Sequence, residues 1–259
     1  MPTFETSDGI ALHFVEAGRG TPLVFVPGWS MPGTVWRRQL DDLADRFRVV
    51  VLDPRGQGES ARTERNQFCE RRAQDLHELV AHLGLRDMTI VGWSMAVSEV
   101  LSYIDQYGTD GVRAVTLVDG GFRVPPEHLA PALAFYRGML RDRPNWSQTF
   151  MKMAASPDTP PDLLSELSSQ MASMPAASAY CLLMDYVLTD TSPLLRRCAV
   201  PIMYMHTPAM ESQASVIREV VPNARVVRFD EGGHMLFHDR SDRFNTLLAE
   251  FCLSVAPAP

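Results

Sequence analysis

Short apolar runs that alternate with helix-length stretches constrain the fold of this chain more than any other feature. Four such runs, rich in β-branched residues and bounded by turn formers, lie at 22–27, 48–53, 88–92 and 112–119. Apolar runs of this length predict strands that are covered on both faces, as in a parallel sheet flanked by helices. Helical candidates at 34–47, 66–84 and 94–107 separate them. The order predicts an α/β fold with a mostly parallel sheet.

The segment from about 122 to 193 breaks this rhythm. It contains many prolines and no convincing strand, and its helical candidates lie at 128–142, 146–155, 162–172 and 176–188. Strand candidates resume at 201–206 and 224–229, followed by a final helix over 241–255. A helical lid inserted after the sixth strand fits this pattern. We therefore predict a core formed by 1–121 and 196–259 and a helical cap over 122–195.

The charge balance of the chain limits its partners. The 259 residues include 24 Lys and Arg against 31 Asp and Glu, for a formal net charge of -7. Nucleic acid and anionic membranes require clustered positive charge, so neither is a predicted partner. No apolar stretch approaches the ~20 residues of a membrane helix, and residues 1–14 lack the pattern of a secretory signal. Four well-separated cysteines without a C-x-x-C pair indicate reduced thiols in a cytoplasmic protein.

The segment Gly92-Trp-Ser94-Met95-Ala96 directly follows a predicted strand and opens a predicted helix. This is the context of a nucleophile elbow, in which a strained turn projects the serine Oγ above the sheet. Small residues two positions before and after the serine let the turn close, although here the second is Ala96 rather than Gly. The Met95 amide, at the start of the helix, is predicted to face a developing oxyanion.

A second turn, Val26-Pro-Gly28-Trp29-Ser30, follows the predicted strand at 22–27. At this position the chain must supply the other oxyanion donor, and Gly28 lets the backbone approach a substrate. We assign that donor to the Trp29 amide. The indole of Trp29 is either part of the pocket wall or simply part of the core.

The turn Asp53-Pro-Arg55-Gly-Gln-Gly-Glu-Ser60 lacks the Lys-Ser/Thr pair of a phosphate cradle. We therefore interpret Asp53, Arg55 and Ser60 as structural residues.

Gly232-Gly-His234-Met lies between the last predicted strand and the terminal helix. A triad in this kind of sheet follows the chain order serine, acid, histidine, and His234 alone among the histidines stands in the right place. His234 is therefore the predicted general base. Of its competitors, His206 ends a strand and borders the site, whereas His238 begins a helix and is expected to be exposed.

These motifs, in this order and spacing, resemble the α/β-hydrolase superfamily, especially its lid-bearing esterase, lactonase and haloperoxidase-like members. The residues that carry the resemblance are Pro27-Gly-Trp, Asp53-Pro-Arg-Gly-x-Gly-x-Ser60, Gly92-Trp-Ser-Met and Gly233-His-Met. It covers essentially the whole chain outside the predicted lid and implies the α/β-hydrolase fold.

The triad acid is missing from the place where most superfamily members carry it, the loop after the seventh strand. That segment here reads His206-Thr-Pro-Ala-Met210-Glu211, with Met210 where Asp is expected. Some branches instead place the acid after the sixth strand, including certain dehalogenases, a fungal lactone hydrolase and cofactor-free ring-cleaving dioxygenases. Asp119 stands there and is suited to accept Nδ1–H from the histidine. Asp119 is the leading candidate, and Glu211 is the alternative.

Ser94, His234 and Asp119 predict a serine hydrolase that cleaves a carboxylic ester or lactone through an acyl-enzyme, with the Trp29 and Met95 amides as oxyanion hole. This mechanism implies no metal or organic cofactor. The predicted lid is rich in methionines and aromatic residues. These side chains either contact a small hydrophobic or aromatic substrate or simply pack the lid helices together. They are Met139, Met151, Met153, Met171, Met174, Met184, Phe135, Tyr136, Trp146, Phe150, Tyr180 and Tyr186.

Two other functions stay open at this point. One is cofactor-free dioxygenation of a hydroxylated heteroaromatic ring by the His–Asp pair, although the dioxygenases tend to flank the serine with histidines where this chain has Trp93 and Met95. The other is ligand binding without turnover. The sequence does not identify the substrate, nor does it decide between a monomer and a homodimer.

Overall fold

The computed structural model describes residues 2–257, and the strands within this range form one eight-stranded sheet of order β1-β2-β4-β3-β5-β6-β7-β8. The first two strands are antiparallel to their neighbours, and the pairs from β4 to β8 across the sheet are parallel. The predicted, mostly parallel sheet is confirmed. The strands are β1 (Thr3–Glu5), β2 (Ala11–Ala17), β3 (Pro22–Val26), β4 (Arg48–Leu52), β5 (Met88–Trp93), β6 (Val112–Val118), β7 (Ile202–His206) and β8 (Arg225–Arg228).

Helices cover both faces of this sheet. Side chains of β3 alternate between two hydrophobic cores, because successive residues of a strand point to opposite faces. The helices on these faces are α1 (Arg37–Leu43), α2 (Cys69–Leu83), α3 (Ala96–Tyr107), α8 (Glu211–Val220) and α10 (Ser241–Ser254), and a short α9 (Leu236–Asp239) precedes the last. Leu23 and Phe25 share one core with α1 and α10, and Val24 and Val26 share the other with α2, α3 and α8.

Four helices lie between β6 and β7, and we call them the inserted helices: α4 (Pro126–Arg137), α5 (Arg143–Ala154), α6 (Pro161–Ser173) and α7 (Ala176–Leu188). Prolines occupy the first turn of α4, α5 and α6, where the missing N–H costs nothing and the fixed φ suits the helix. These prolines therefore start helices, whereas Pro131 lies inside α4. Buried side chains of the inserted helices join the core on the α1 and α10 face. The division into a core of 1–121 and 196–259 and a cap over 122–195 stays a prediction.

Within residues 2–257, no single helix is long and apolar enough to cross a membrane. The consecutive helices α6 and α7 meet the length and composition criteria only together, and they are bent by 94° relative to each other.

Several predicted helix boundaries were wrong, and left-handed backbone explains two of them. The helix predicted over 66–84 begins only at Cys69, after Asn66 with φ of 55°, and the one predicted over 94–107 begins at Ala96, after Ser94 with φ of 58°. Positive φ is incompatible with a right-handed helical turn. The predicted helix over 34–47 is divided into a 3₁₀ turn, Gly33–Trp36, and the shorter α1.

Candidate active site

Ser94 lies in the tight turn between β5 and α3. Its φ of 58° is uncommon for a residue with a side chain. The turn is closely packed, because a Cβ at Gly92 would lie 2.7 Å from the Ala96 oxygen and one at Gly120 would lie 2.2 Å from the Ser94 oxygen. Ala96 is fully buried, so the turn accommodates the methyl group that replaces the usual glycine. The structure thus places Ser94 in a strained turn at the carboxyl end of a central strand.

Three predicted site residues form one continuous hydrogen-bonded chain. His234 Nε2 lies 2.9 Å from Ser94 Oγ, and His234 Nδ1 lies 2.7 Å from Asp119 Oδ2. Asp119 follows β6 with φ of 43° and its side chain is 1% exposed. An ionised carboxylate is only an acceptor, so Nδ1 carries the proton and the Nε2 lone pair faces the serine hydroxyl. This geometry is suited to proton transfer from Ser94 to His234.

Thr207 holds the second carboxylate oxygen of Asp119, and the sequence analysis missed it. The Thr207 amide and hydroxyl donate to Asp119 Oδ1 at 2.6 and 2.9 Å. Thr207 belongs to the segment after β7 that carries the acid in most superfamily members. Here this segment instead donates two hydrogen bonds to the candidate acid, which follows β6.

Glu211, the alternative acid, lies at the start of α8 and points toward arginines. Its carboxylate accepts hydrogen bonds from Arg218 at 2.8 Å and Arg228 at 3.4 Å. The hydrogen bond from Arg218 lowers the pKa of this carboxyl. No hydrogen bond joins Glu211 to His234 in the part of the chain that the structure describes.

The two predicted oxyanion donors are the backbone amides of Trp29 and Met95. Neither the Trp29 amide nor the Met95 amide donates to an acceptor within residues 2–257. Trp29 and Ser94 line a common small hollow of about 20 Å³, together with Gly28 and His234. A Cβ at Gly28 would lie 3.1 Å from the Ser94 Cβ, which explains why only glycine fits beside the serine without displacement.

Gln57 supports the turn that carries Trp29, a role that the sequence analysis missed. Its side-chain nitrogen donates to the Gly28 and Met31 carbonyls at 3.2 and 2.7 Å. Its side-chain oxygen accepts from the Ser30 amide at 3.0 Å and from Arg72 at 2.8 Å. Gln57 lies inside the Asp53–Ser60 turn, so this turn braces the candidate oxyanion donor from the core.

The remaining contacts of the Asp53–Ser60 turn agree with the structural interpretation. Asp53 accepts from the His13 ring at 2.7 Å, and Ser60 Oγ donates to the Asp53 carbonyl at 2.5 Å. Arg55 is fully buried and makes a bidentate ion pair with Asp75 at 2.6 Å.

A cavity of about 430 Å³ extends from Ser94 and His234 between the inserted helices and the segment after β7. No Lys or Arg is among the described residues that line it. Burial raises the pKa of Tyr186, whose hydroxyl accepts from the Gly121 amide at 3.1 Å and donates to the Gly121 carbonyl at 3.3 Å. The cavity walls are mostly apolar or aromatic and include Tyr136, Phe150, Met153, Ala154, Tyr186, Pro208, Ala209 and Met210.

Of the six methionines considered for substrate contact, only Met153 lines this cavity in the described range. Met139, Met151, Met171 and Met174 are buried in the hydrophobic core and pack the inserted helices. A groove of about 540 Å³ between α5 and α6 is slightly larger, but it lacks a serine–histidine pair among the described residues that line it.

The two competing histidines lie apart from the hydrogen-bonded chain. His206 is fully buried at the end of β7, and its Nδ1 lies 2.9 Å from the Thr207 carbonyl oxygen. The expectation that His238 is exposed was wrong, since its side chain is only 16% exposed. It lies on the short helix α9 and lines a small pocket together with residues of the 3₁₀ turn at 33–36 and of α6.

Known proteins resemble the chain over most of its length. A family model described as alpha/beta hydrolase fold matches residues 21–192. Over 127 residues, 49% of this chain and 45% of the relative, the chain is 34% identical to the non-heme chloroperoxidase CPO-A1 of Kitasatospora aureofaciens. It is 27% identical to a pimeloyl-[acyl-carrier protein] methyl ester esterase of Vibrio cholerae, over 93% of this chain and 98% of that protein.

Among solved structures, an esterase from Exiguobacterium antarcticum matches with a TM-score of 0.90 and 21% identity, covering 97% of this chain and 99% of the esterase. At this identity the likeness shows the fold alone. The family match extends from β3 through the inserted helices. Because the family model matches residues 21–192 and the solved esterase has the same fold, the chain belongs to the alpha/beta hydrolase fold family.

Proposed function

We propose that the protein is a serine hydrolase that cleaves a neutral carboxylic ester or lactone with a hydrophobic or aromatic part. The observation that carries the proposal is the hydrogen-bonded chain from Ser94 through His234 to Asp119. The two unpaired amides beside the serine support it. The relative named as a methyl ester esterase, which aligns over nearly the whole chain, also supports ester hydrolysis.

In the proposed first half-reaction, Ser94 Oγ attacks the substrate carbonyl carbon while His234 Nε2 takes the serine proton. Asp119, held by two donors from Thr207, keeps Nδ1 protonated and stabilises the imidazolium. The tetrahedral intermediate then collapses, and His234 returns the proton to the leaving alkoxide oxygen. An alcohol departs, or, from a lactone, the new hydroxyl stays on the acyl chain.

In the second half-reaction, a water molecule replaces the alcohol. His234 takes one water proton as the oxygen attacks the acyl-enzyme carbonyl, and it returns that proton to Ser94 Oγ when the carboxylic acid leaves. The amides of Trp29 and Met95 donate to the carbonyl oxygen in both tetrahedral states. Each such donor stabilises the transition state by about 3 kcal/mol.

The cavity walls support a neutral, compact substrate. An anionic group buried there would lose its hydration without gaining a partner, because no Lys or Arg lines the described cavity. The one described carboxylate that lines it, Asp119, is already bonded to Thr207 and His234. The aromatic walls formed by Tyr136, Phe150 and Tyr186 suit an aryl or medium-length alkyl group. A small hydrophobic molecule is accordingly the proposed partner, and the cytoplasmic location, the lack of a cofactor and the oligomeric state stay predictions.

The test is the turnover of p-nitrophenyl butyrate by the wild-type protein, Ser94→Ala and a control variant, Ser215→Ala, on the exposed side of α8. We expect Ser94→Ala to lose at least about a thousandfold in kcat, since the nucleophile of a triad is indispensable, and Ser215→Ala to match wild type. Turnover that survives in Ser94→Ala refutes the proposal. Without any ester turnover, oxygen uptake with hydroxylated heteroaromatic compounds becomes the test of the dioxygenase alternative.

A further inference from the structure

Arg143, in the first turn of α5, is a buried cation without an acidic partner among the described residues. Its exposed fraction is 8%, and no salt bridge within residues 2–257 includes it. Burial alone lowers the pKa of this guanidinium to about 10, so it remains charged at neutral pH. Burying a charge without a counter-ion is unfavourable, which makes this position costly unless the arginine does something specific.

The groups that Arg143 contacts are neutral and lie in the insertion between β6 and β7 and in the turn that carries Trp29. Within the insertion, its Nη1 lies 3.3 Å from Met139 Sδ and its guanidinium carbon lies 5.8 Å from the centroid of the Trp146 ring. Its Nη2 donates to Ser30 Oγ at 3.0 Å and to the Met171 carbonyl at 2.7 Å. Its guanidinium carbon lies 4.9 Å from the centroid of the Trp29 ring, a cation–π distance. Its Nε has no hydrogen-bond partner in the described part of the chain.

The turn that Arg143 contacts is strained and depends on support. Ser30 has φ of 58°, a conformation that persists only where the surroundings hold it. From the core, Gln57 accepts from the Ser30 amide. On the side of the insertion, Arg143 donates to the Ser30 hydroxyl, which itself donates to Met174 Sδ at 3.3 Å. The Ala179 carbonyl accepts from the Trp29 indole at 2.8 Å. Both supports act on residues 29 and 30, and the Trp29 amide, the proposed oxyanion donor, belongs to the same turn.

We propose that Arg143 is a positioning residue that fixes the Trp29–Ser30 turn, so that the Trp29 amide is held in place to bind an oxyanion when α5 packs on the core. This inference rests on the serine hydrolase function proposed above. It makes the oxyanion hole depend on a contact from the inserted helices rather than on the core alone. The guanidinium is suited to the role, because its planar fork donates in two directions while its face packs on the indole.

The test compares Arg143→Met and Arg143→Lys with Arg141→Met, an exposed control two residues away. Active sites are first counted with a fluorophosphonate, and kcat and KM for p-nitrophenyl butyrate are then expressed per labelled site. We expect Arg143→Met to lower kcat about tenfold or more with KM within about twofold, since a misplaced oxyanion donor weakens only the transition state. Arg143→Lys should fall between, because it keeps the charge but loses the fork, and Arg141→Met should match wild type.

Ser30→Ala supplies a second variant that keeps the arginine. It should lower kcat a few-fold in the wild-type background and clearly less in Arg143→Met, because both changes break the contact between Arg143 and Ser30 and only the weak hydrogen bond from Ser30 to Met174 Sδ is lost in addition. If Arg143→Met does not fold, Arg143→Lys and Ser30→Ala test the role of Arg143 in the same way, by a lower kcat at a nearly unchanged KM.

Failure of the proposed function and failure of the proposed role of Arg143 give different results. A wild-type protein that neither reacts with the fluorophosphonate nor turns over esters removes the proposed function, and this inference with it. A wild-type enzyme that depends on Ser94, combined with Arg143 and Ser30 variants whose kcat per site stays within twofold of wild type, refutes only the role of Arg143.

Discussion

Replacing Asp119 with Asn tests the proposed acid with almost no change in shape. An Asn side chain has one oxygen and one NH₂ group where Asp119 has two acceptors. If the oxygen keeps the two Thr207 donors at 2.6 and 2.9 Å, the NH₂ group faces His234 Nδ1, which lies 2.7 Å from that side of the wild-type carboxylate. His234 must then carry its proton on Nε2, toward Ser94, where it cannot accept the serine proton.

The magnitude follows from comparing the two orientations of the amide. The flipped orientation, which would restore the productive histidine, turns the NH₂ group toward Thr207 and leaves the buried Thr207 amide N–H without an acceptor, at a cost of about 1–3 kcal/mol, whereas the Thr207 hydroxyl can rotate and accept instead. The unproductive orientation is therefore strongly preferred, and the carboxylate charge that stabilises the imidazolium is lost in either one. We expect kcat to fall about 10³- to 10⁴-fold, equivalent to about 4–5 kcal/mol of transition-state stabilisation.

The assay measures kcat and KM for p-nitrophenyl butyrate in Asp119→Asn and Glu211→Gln, with the Tm of each variant as a check on folding. Glu211→Gln should stay within about twofold of wild type, since its carboxylate pairs with Arg218 and Arg228. An Asp119→Asn variant that keeps more than a tenth of the wild-type kcat refutes this account. A large loss in Glu211→Gln does so as well.

Three further perturbations give separate results. Gly28→Ala would bring a methyl group to 3.1 Å from the Ser94 Cβ, so kcat should fall at least about tenfold with a stability loss of about 1–3 kcal/mol, measured by kinetics and denaturant unfolding. Thr207→Val removes the hydroxyl that donates to Asp119 at 2.9 Å. Because hydrogen bonds to charged groups contribute about 1.5–3 kcal/mol, kcat should fall roughly tenfold at unchanged KM. A variant with the kcat of wild type would show that this hydrogen bond does not support catalysis. Burial raises the pKa of Glu99 from 4.5 to about 7, so the folded state holds more protons than the unfolded state and this group's contribution to stability falls as the pH rises between those values. Glu99→Gln should remove this loss of stability. The Tm of the variant minus the Tm of wild type should therefore rise from about pH 4.5 to about pH 7 and then level off. A Tm difference that stays constant across this pH range would show that Glu99 is not the titrating group.

The sheet and the positions of the site residues were predictable because their signals are local. Apolar runs predicted strands β3 to β8, and the strand–turn–helix context around Ser94 identified its turn. Asp119 was preferred because Met210 stands at the usual position of the acid, and the structure brings Asp119 to within 2.7 Å of His234. Two of the wrong helix starts came from Asn66 and Ser94, whose positive φ excludes them from a right-handed helix.

The supports of the site were not predictable, because each depends on contacts between distant parts of the chain. Gln57 bonds the Ser30 amide across 27 residues, Thr207 bonds Asp119 across 88, and Arg143 bonds Ser30 across 113. Glutamine, threonine and arginine are common on protein surfaces, so their types alone give no sign of burial. Only the folded chain shows that these polar groups surround the candidate oxyanion donor and the candidate acid.

The central claim is that His234 and Asp119 activate Ser94 as a nucleophile. The most direct measurement is intact-mass spectrometry of the protein after reaction with a fluorophosphonate, followed by peptide mapping of the adduct. We expect one adduct per chain, located on Ser94, absent in Ser94→Ala and formed much more slowly in His234→Gln. A wild-type protein that forms no adduct, or an adduct that persists in Ser94→Ala, would contradict it.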